Sequence, residues 1–392
     1  MSAIKRLFSE GYRAFFFFSA AYAVVTGGVW AYWLWGGDLP FFERAILPQW
    51  HAHEMIFGFA TAAMAGFFLT AVPNWVGGAA ARPFYIAMVA LIWALGRIAM
   101  WYSGALPAGI VMVLDLMFLP LLGLNILLQL LKRPKPQNMV FLLFMTLIWV
   151  ANLMVHLEWV GITDDTLSRG LRGGLFGFCA MIGILGGRVT PAFTRNAMKR
   201  AGVDEAQWPT SNPWIEKLSL VSSIGLPIVV LVALPDLVIG AWAIGFACLQ
   251  ALRLRNWRGA WCLRHPILWA LHMSIGMNVI GAALWGSALM GVGSERAALH
   301  ILGIGAAGGM ILAIMSRASL GHSGRALIAP KPVSFGYWAI AGATLIRFVA
   351  ENMSGGVYTA HMIAAVLLWM IGFGAFLWAL WPALFCPRVD RG

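Results

Sequence analysis

Charge is scarce in this chain: Asp, Glu, Lys and Arg together make up 11% of its 392 residues, where a soluble domain carries roughly 25%. With 61% of the residues hydrophobic, a water-soluble core of ordinary composition is excluded. Acidic residues are the scarcer sign, 15 against 27 Lys and Arg. The resulting net charge of +12 is no nucleic-acid footprint, because the basic residues fall in short connections between apolar runs and not along one helix face or tail. No nucleic-acid partner is expected. Cysteine is limited to Cys179, Cys248, Cys262 and Cys386, widely spaced and without a C-x-x-C pair, which signals neither a zinc knuckle nor a disulfide framework. A P-loop, a nucleophile elbow and an H-E-x-x-H motif are also missing from the sequence.

What is present is a succession of apolar runs about twenty residues long, the length that crosses a bilayer as a helix. They centre near residues 14–35, 51–73, 84–103, 107–131, 139–157, 171–191, 214–233, 237–252, 266–290, 297–316, 334–352 and 357–381. The fold expected is therefore all-α, a polytopic protein of about twelve transmembrane helices forming a single membrane domain over 1–392. Lys5 and Arg6 precede the first run as in a signal peptide, but that run is too long and lacks a small-residue cleavage site, so it is read as the first helix. With both termini cytoplasmic, 21 Lys and Arg lie on the cytoplasmic side and only Arg44, Arg169, Arg172 and Arg296 on the other. This asymmetry sets the orientation. The stretch from Pro191 to Pro213 reads as a cytoplasmic loop.

Phe57-Gly58-Phe59-Ala60, Phe176-Gly177-Phe178-Cys179 and Ile304-Gly305-Ala306-Ala307 recur at spacings of 119 and 128 residues in segments two, six and ten. Pro73 and Pro191 follow the first two glycines at similar offsets. Three repeats of four helices, 1–135, 136–260 and 261–392, are one reading; the recurrence of small residues at helix contacts is the other. Gly303-Ile-Gly305-Ala-Ala-Gly308 matches a dinucleotide fingerprint only in letters, since it lies inside an apolar run with no preceding strand. Gly305 and Gly309 suit the close approach of another helix or of a flat porphyrin.

Ionisable residues at membrane depth are costly enough to mark function. Given the orientation, His51, His53, His156, His300 and His361 gather toward the outer side, with Glu54, Glu158 and Glu351 near them, whereas His265, His272 and His322 lie toward the cytoplasm. Imidazole ligates haem iron and copper, so the five outer histidines are candidate metal ligands. For any one of them the alternative is an interfacial residue bonded to water or carbonyl. His51 and His53 diverge by about 200° on a helix, while His51 and Glu54 share a face. Arg97 and Arg347 lie deep inside segments three and eleven and need anionic partners: haem propionates, or Glu54, Asp115 and Glu351. Arg97 follows His51 by 46 residues and Arg347 follows His300 by 47, which motivates the propionate reading. Glu54 and Glu351 are candidate proton carriers.

Three stretches, WHAHEMIFGFA at 50–60, GRVTPAFTRN at 187–196 and MSRASLGHSGR at 315–325, resemble the NnrS family of bacterial membrane proteins, and the resemblance extends over essentially the whole chain. It implies a haem- and copper-containing protein of the bacterial inner membrane, tied to nitric oxide metabolism and resistance to nitrosative stress. Without C-x-x-C-H, haem b is implied rather than covalent haem. Around His51 and His300 the chain is also similar to the catalytic subunit of haem-copper oxidases and nitric oxide reductases, with His51 and His300 as counterparts of their haem ligands. It departs from them in having no histidine in segments six and seven and Ala298 where a second helix-ten ligand is expected; His53, His156 and His361 remain for copper or a second metal. The expectation is an oxidoreductase that consumes nitric oxide with electrons from quinol or another donor; the alternative is a non-enzymatic haem-binding membrane protein that senses nitric oxide or handles haem or metal.

Overall fold

The computed structural model describes residues 2–37 and 46–389. Arg44 and Arg391, counted in the charge asymmetry, lie outside the described residues. The described chain is all-α, and twelve of its helices are long and apolar enough to cross a membrane. They are α1 (Gly11–Leu34), α2 (Leu47–Val76), α3 (Pro83–Trp101), α4 (Ala108–Leu130), α5 (Pro136–Trp159), α6 (Leu167–Arg200), α7 (Pro213–Leu231), α8 (Asp236–Arg255), α9 (Pro266–Leu289), α10 (Glu295–His322), α11 (Lys331–Ala350) and α12 (Gly355–Phe385). This is a multi-pass membrane protein.

Proline marks many of the starts. Pro83, Pro136, Pro213 and Pro266 open their helices, where the missing N–H is not needed and the fixed φ is already helical. Glycine marks two ends: Gly77 and Gly202 follow α2 and α6 with φ of 63° and 69°, the left-handed conformation that stops a helix without a Cβ penalty. The second of these corrects the sequence reading of segment six. Pro191 does not close it; the proline sits within the helix, which continues to Arg200, so the connection shrinks to 201–212 and holds one short turn at Glu205–Gln207.

Two helices change pitch. In α2 the stretch Glu54–Ala60 is π-helical, and in α10 so is Ile301–Gly308. A π turn leaves carbonyls short of their usual donors, and side chains supply them in α2. Phe57 accepts from the Thr61 hydroxyl at 2.5 Å, Gly58 from the Trp93 indole at 3.0 Å and Phe59 from Ser19 at 3.1 Å. Phe176–Cys179 of α6, by contrast, stays α-helical.

The packing forms two compact units: Met1–Gly174 with Met315–Leu327 and Phe373–Gly392, and Leu175–Ile314 with Ile328–Gly372. In the first, α2 packs against α1 and α4, and α4 also against α5. A Cβ at Gly96 would sit 3.2 Å from the Asp115 backbone, so this glycine lets α3 meet α4 at Asp115. Buried Arg13 of α1 donates to the carbonyls of Ala383, Leu384 and Cys386 at 2.9 to 3.1 Å, capping the end of α12. In the second unit α8 and α9 cross at Gly240 and Gly286, each of which would push a Cβ to within 2.7 Å of the other's carbonyl. Arg253 of α8 pairs with Glu216 of α7 at 2.8 Å and donates to the Gly183 carbonyl at 2.6 Å. The glycines of α10 serve the same close packing: Gly305 faces Met277 and Thr344, and Gly309 faces Ser274.

Candidate metal centre

In the first unit, four helices bring six polar side chains into a buried cluster. Residues 53 and 54 stand where α2 passes into its π turn, and their side chains meet: His53 Nδ1 lies 2.8 Å from Glu54 Oε1. On α3, Trp93, Arg97 and Trp101 are spaced four apart and form one stripe. Arg97 donates to Glu54 Oε1 at 2.7 Å and, through its other terminal nitrogen, to Asp115 of α4. On α5, Asn152 and His156 are one turn apart on the same face. Asn152 donates to Asp115 Oδ2 at 2.7 Å, and His156 Nε2 lies 2.8 Å from the same oxygen.

Glu54 accepts from three donors. Besides Arg97 and His53 it accepts the Tyr22 hydroxyl, which in turn accepts from the Trp101 indole at 2.8 Å. Gly58, one π turn on, makes the room: a Cβ there would lie 2.9 Å from Arg97 Nη1 and 3.0 Å from Glu54 Oε2. Two carboxylates and one guanidinium thus share a buried volume, with one net negative charge before the histidines are counted. Burial of that kind is tolerated only with complete pairing.

His53 shows what the cluster is built to hold. Its Nε2 lies 2.8 Å from Asn152 Oδ1 and 3.3 Å from Asp115 Oδ2, so both ring nitrogens face oxygen acceptors. Asn152 cannot relieve this by turning its amide, because its nitrogen is committed to Asp115. A neutral imidazole has one proton for two acceptors; a proton or a metal ion at Nε2, either of which brings positive charge, would complete the arrangement. Donor atoms of His53, Asp115 and His156 all lie within 4.8 Å of one another, and all three residues are buried. The donor set fits a metal ion. The bond from His53 Nδ1 to Glu54 is the outer-shell contact that usually orients a ligating imidazole.

The profile of the NnrS protein family matches residues 6–388. The chain belongs to the NnrS family. A search of curated proteins finds no match. Of the residues singled out in the sequence of this NnrS-family chain, His53, Glu54, Arg97 and His156 come together in the cluster. His51 does not join them; its ring stacks on Trp30 of α1 with centroids 4.3 Å apart. Since Tyr22 and Trp30 are both on α1, His51 and Glu54 do share the face of α2 turned toward α1, and His53 faces α5.

In the second unit Arg347 donates to Glu351 at 3.0 Å, and exposed Arg296 approaches the same carboxylate at 3.6 Å. The Arg296 carbonyl holds His300 Nδ1 at 2.8 Å, and the Val357 carbonyl holds His361 Nδ1 at the same distance. In each ring this leaves Nε2 as the lone-pair nitrogen, the tautomer a haem iron or metal requires. A Cβ at Gly303, one turn after His300, would meet nothing within 4 Å, so that face of α10 has room for a flat group.

Both deep arginines have protein carboxylates as partners. Arg97 is matched by Glu54 and Asp115, so its charge is compensated without a propionate, although its Nε is buried without a partner among the described residues. Arg347 has Glu351 and keeps a buried Nε without a partner among the described residues. Asn152, Tyr22, Trp101 and Trp159 were not picked out in the sequence. Asn152 had a signal in its place one turn before His156. Asp115 was seen only as a counter-charge for arginine.

Proposed function

We propose that this NnrS-family protein is a redox-active metalloprotein of nitric oxide metabolism in the bacterial inner membrane, an oxidoreductase that consumes nitric oxide. Family membership supports a role in nitric-oxide-related biology. The observation that carries the redox reading is the buried convergence of His53, Asp115 and His156 on one volume whose charge calls for a cation. Haem b on His300 belongs to the same proposal, supported by the tautomer of His300 and the open face at Gly303. Bound metal and haem would supply one-electron chemistry. The chain itself contributes a dry pocket, fixed imidazole orientations and a carboxylate, Glu351, that reaches the exposed Arg296 and suits proton supply from the outer side. Glu54, held by three donors, is better suited to positioning His53. The electron donor is proposed to be quinol or another reductant within reach of the bilayer.

The test is anaerobic nitric oxide consumption by purified, reduced protein, followed together with its haem spectrum and metal content. Wild-type protein is expected to consume nitric oxide over many turnovers, and His300→Ala to lose haem or leave it five-coordinate. Protein that binds nitric oxide once and never turns it over is a sensor or carrier, and the enzyme reading falls.

A further inference from the structure

The resemblance to NnrS proteins implies copper, but the donors of the buried cluster point elsewhere. Two imidazoles and one carboxylate come from three different helices, His53 from α2, Asp115 from α4 and His156 from α5. Neither a thiol nor a thioether belongs to this set, and those are the soft ligands that select cuprous ion. A structural zinc site closes with four ligands, mostly thiolate and imidazole, calcium or magnesium takes oxygen almost throughout, and the catalytic zinc that two imidazoles and a carboxylate can also hold has no redox chemistry to offer nitric oxide. Two histidines and a carboxylate with the remaining positions open is the ligand set of non-haem ferrous iron.

We propose that His53, Asp115 and His156 bind one ferrous ion and that this ion, separate from any haem, is a binding place for nitric oxide. The inference rests on the metal-centre reading above. Glu54 would hold His53 through Nδ1, and Asn152 and Arg97 would hold Asp115, so each of two ligands has its own support. The network carries one net negative charge from Glu54, Asp115 and Arg97, so a divalent ion leaves one positive charge to polarise a small electron-accepting ligand. Trp159 supplies a donor for such a ligand. Its ring lies 5.2 Å from that of His53 and 5.3 Å from that of His156, and its buried Nε1 has no hydrogen-bond partner among the described residues. A buried indole N–H usually finds an acceptor, and an oxygen atom of a bound diatomic would be one.

The experiment uses the full-length protein in detergent, loaded anaerobically with ferrous ion and then exposed to nitric oxide. Non-haem iron equal to the protein is expected, with the electron paramagnetic resonance signal of a high-spin ferrous nitrosyl, distinct from the low-spin signal of a haem nitrosyl. His156→Gln should lose that signal and the non-haem iron while keeping haem. Because Asp115→Asn strands Arg97 and risks misfolding, His53→Gln serves as the second ligand variant. Trp159→Phe should keep the iron but shift the N–O stretching frequency, which a purely structural tryptophan would leave unmoved. Copper or zinc in the cluster without iron overturns the iron assignment and leaves the metalloprotein reading standing. A cluster that takes no metal, with wild-type nitric oxide consumption in both histidine variants, overturns both.

Discussion

Arg97 holds together the buried charge of the first unit, because Glu54 and Asp115 both depend on it. Removing one partner of a buried ion pair leaves an uncompensated charge out of water, at a cost of about 3–5 kcal/mol. Arg97→Gln is therefore expected to lower the thermal unfolding temperature in detergent far more than substitution of exposed Arg296, and to reduce metal retained by the His53 cluster. Lysine is expected to be a poor replacement: the planar fork reaches two carboxylates at once, and an ammonium does not. Equal unfolding temperatures for wild type and Arg97→Gln would show that the pairing contributes nothing.

In α2 the change of pitch is what allows the cluster to form. The π turn places Gly58 against Arg97 and exposes the Gly58 carbonyl, which Trp93 satisfies from α3. The Gly58 carbonyl also accepts from the Thr61 backbone N–H and, at 3.2 Å, from the Thr61 hydroxyl, so Trp93→Phe removes one donor of several and is expected to destabilise the protein by the net worth of one hydrogen bond, about 0.5–1.5 kcal/mol, and to disturb the adjacent Glu54 contacts. The measurement is unfolding together with metal content, with Trp75→Phe, on the same unit but away from the π turn, as the comparison. Trp93→Phe indistinguishable from that control would mean that the π turn does not need the indole. Sequence reading placed α2 but had no access to this pitch change, since two of the carbonyls of the π turn find side-chain donors on other helices, Ser19 of α1 and Trp93 of α3.

For the whole molecule, the prediction concerns orientation. From the excess of basic residues in the other connections, the loop at 201–212 is expected on the cytoplasmic side. In a chain whose own cysteines are replaced by serine, Gln207→Cys is expected to react with a membrane-impermeant maleimide in inverted vesicles and to be protected in spheroplasts. The opposite pattern would turn the protein over, and with it the side proposed for proton supply through Glu351.

Sequence alone determined the twelve apolar spans, most of their ends and the family, because hydropathy, helix-opening prolines and basic connections act locally. It also brought out His53, Glu54, Arg97 and His156 as residues too polar for their surroundings. Only the tertiary structure decided which of them meet. It turned His51 onto Trp30 and His53 toward His156, set the Asp115 carboxylate against both His53 and His156 and gave Arg97 two carboxylates from different helices. It also carried α6 past Pro191. The physical reason is that a helix sets the direction of a side chain only around its own axis. Which direction faces a partner depends on how neighbouring helices pack, here through Gly58 and Gly96, where the missing side chains let α3 come close enough for Arg97 to join the cluster.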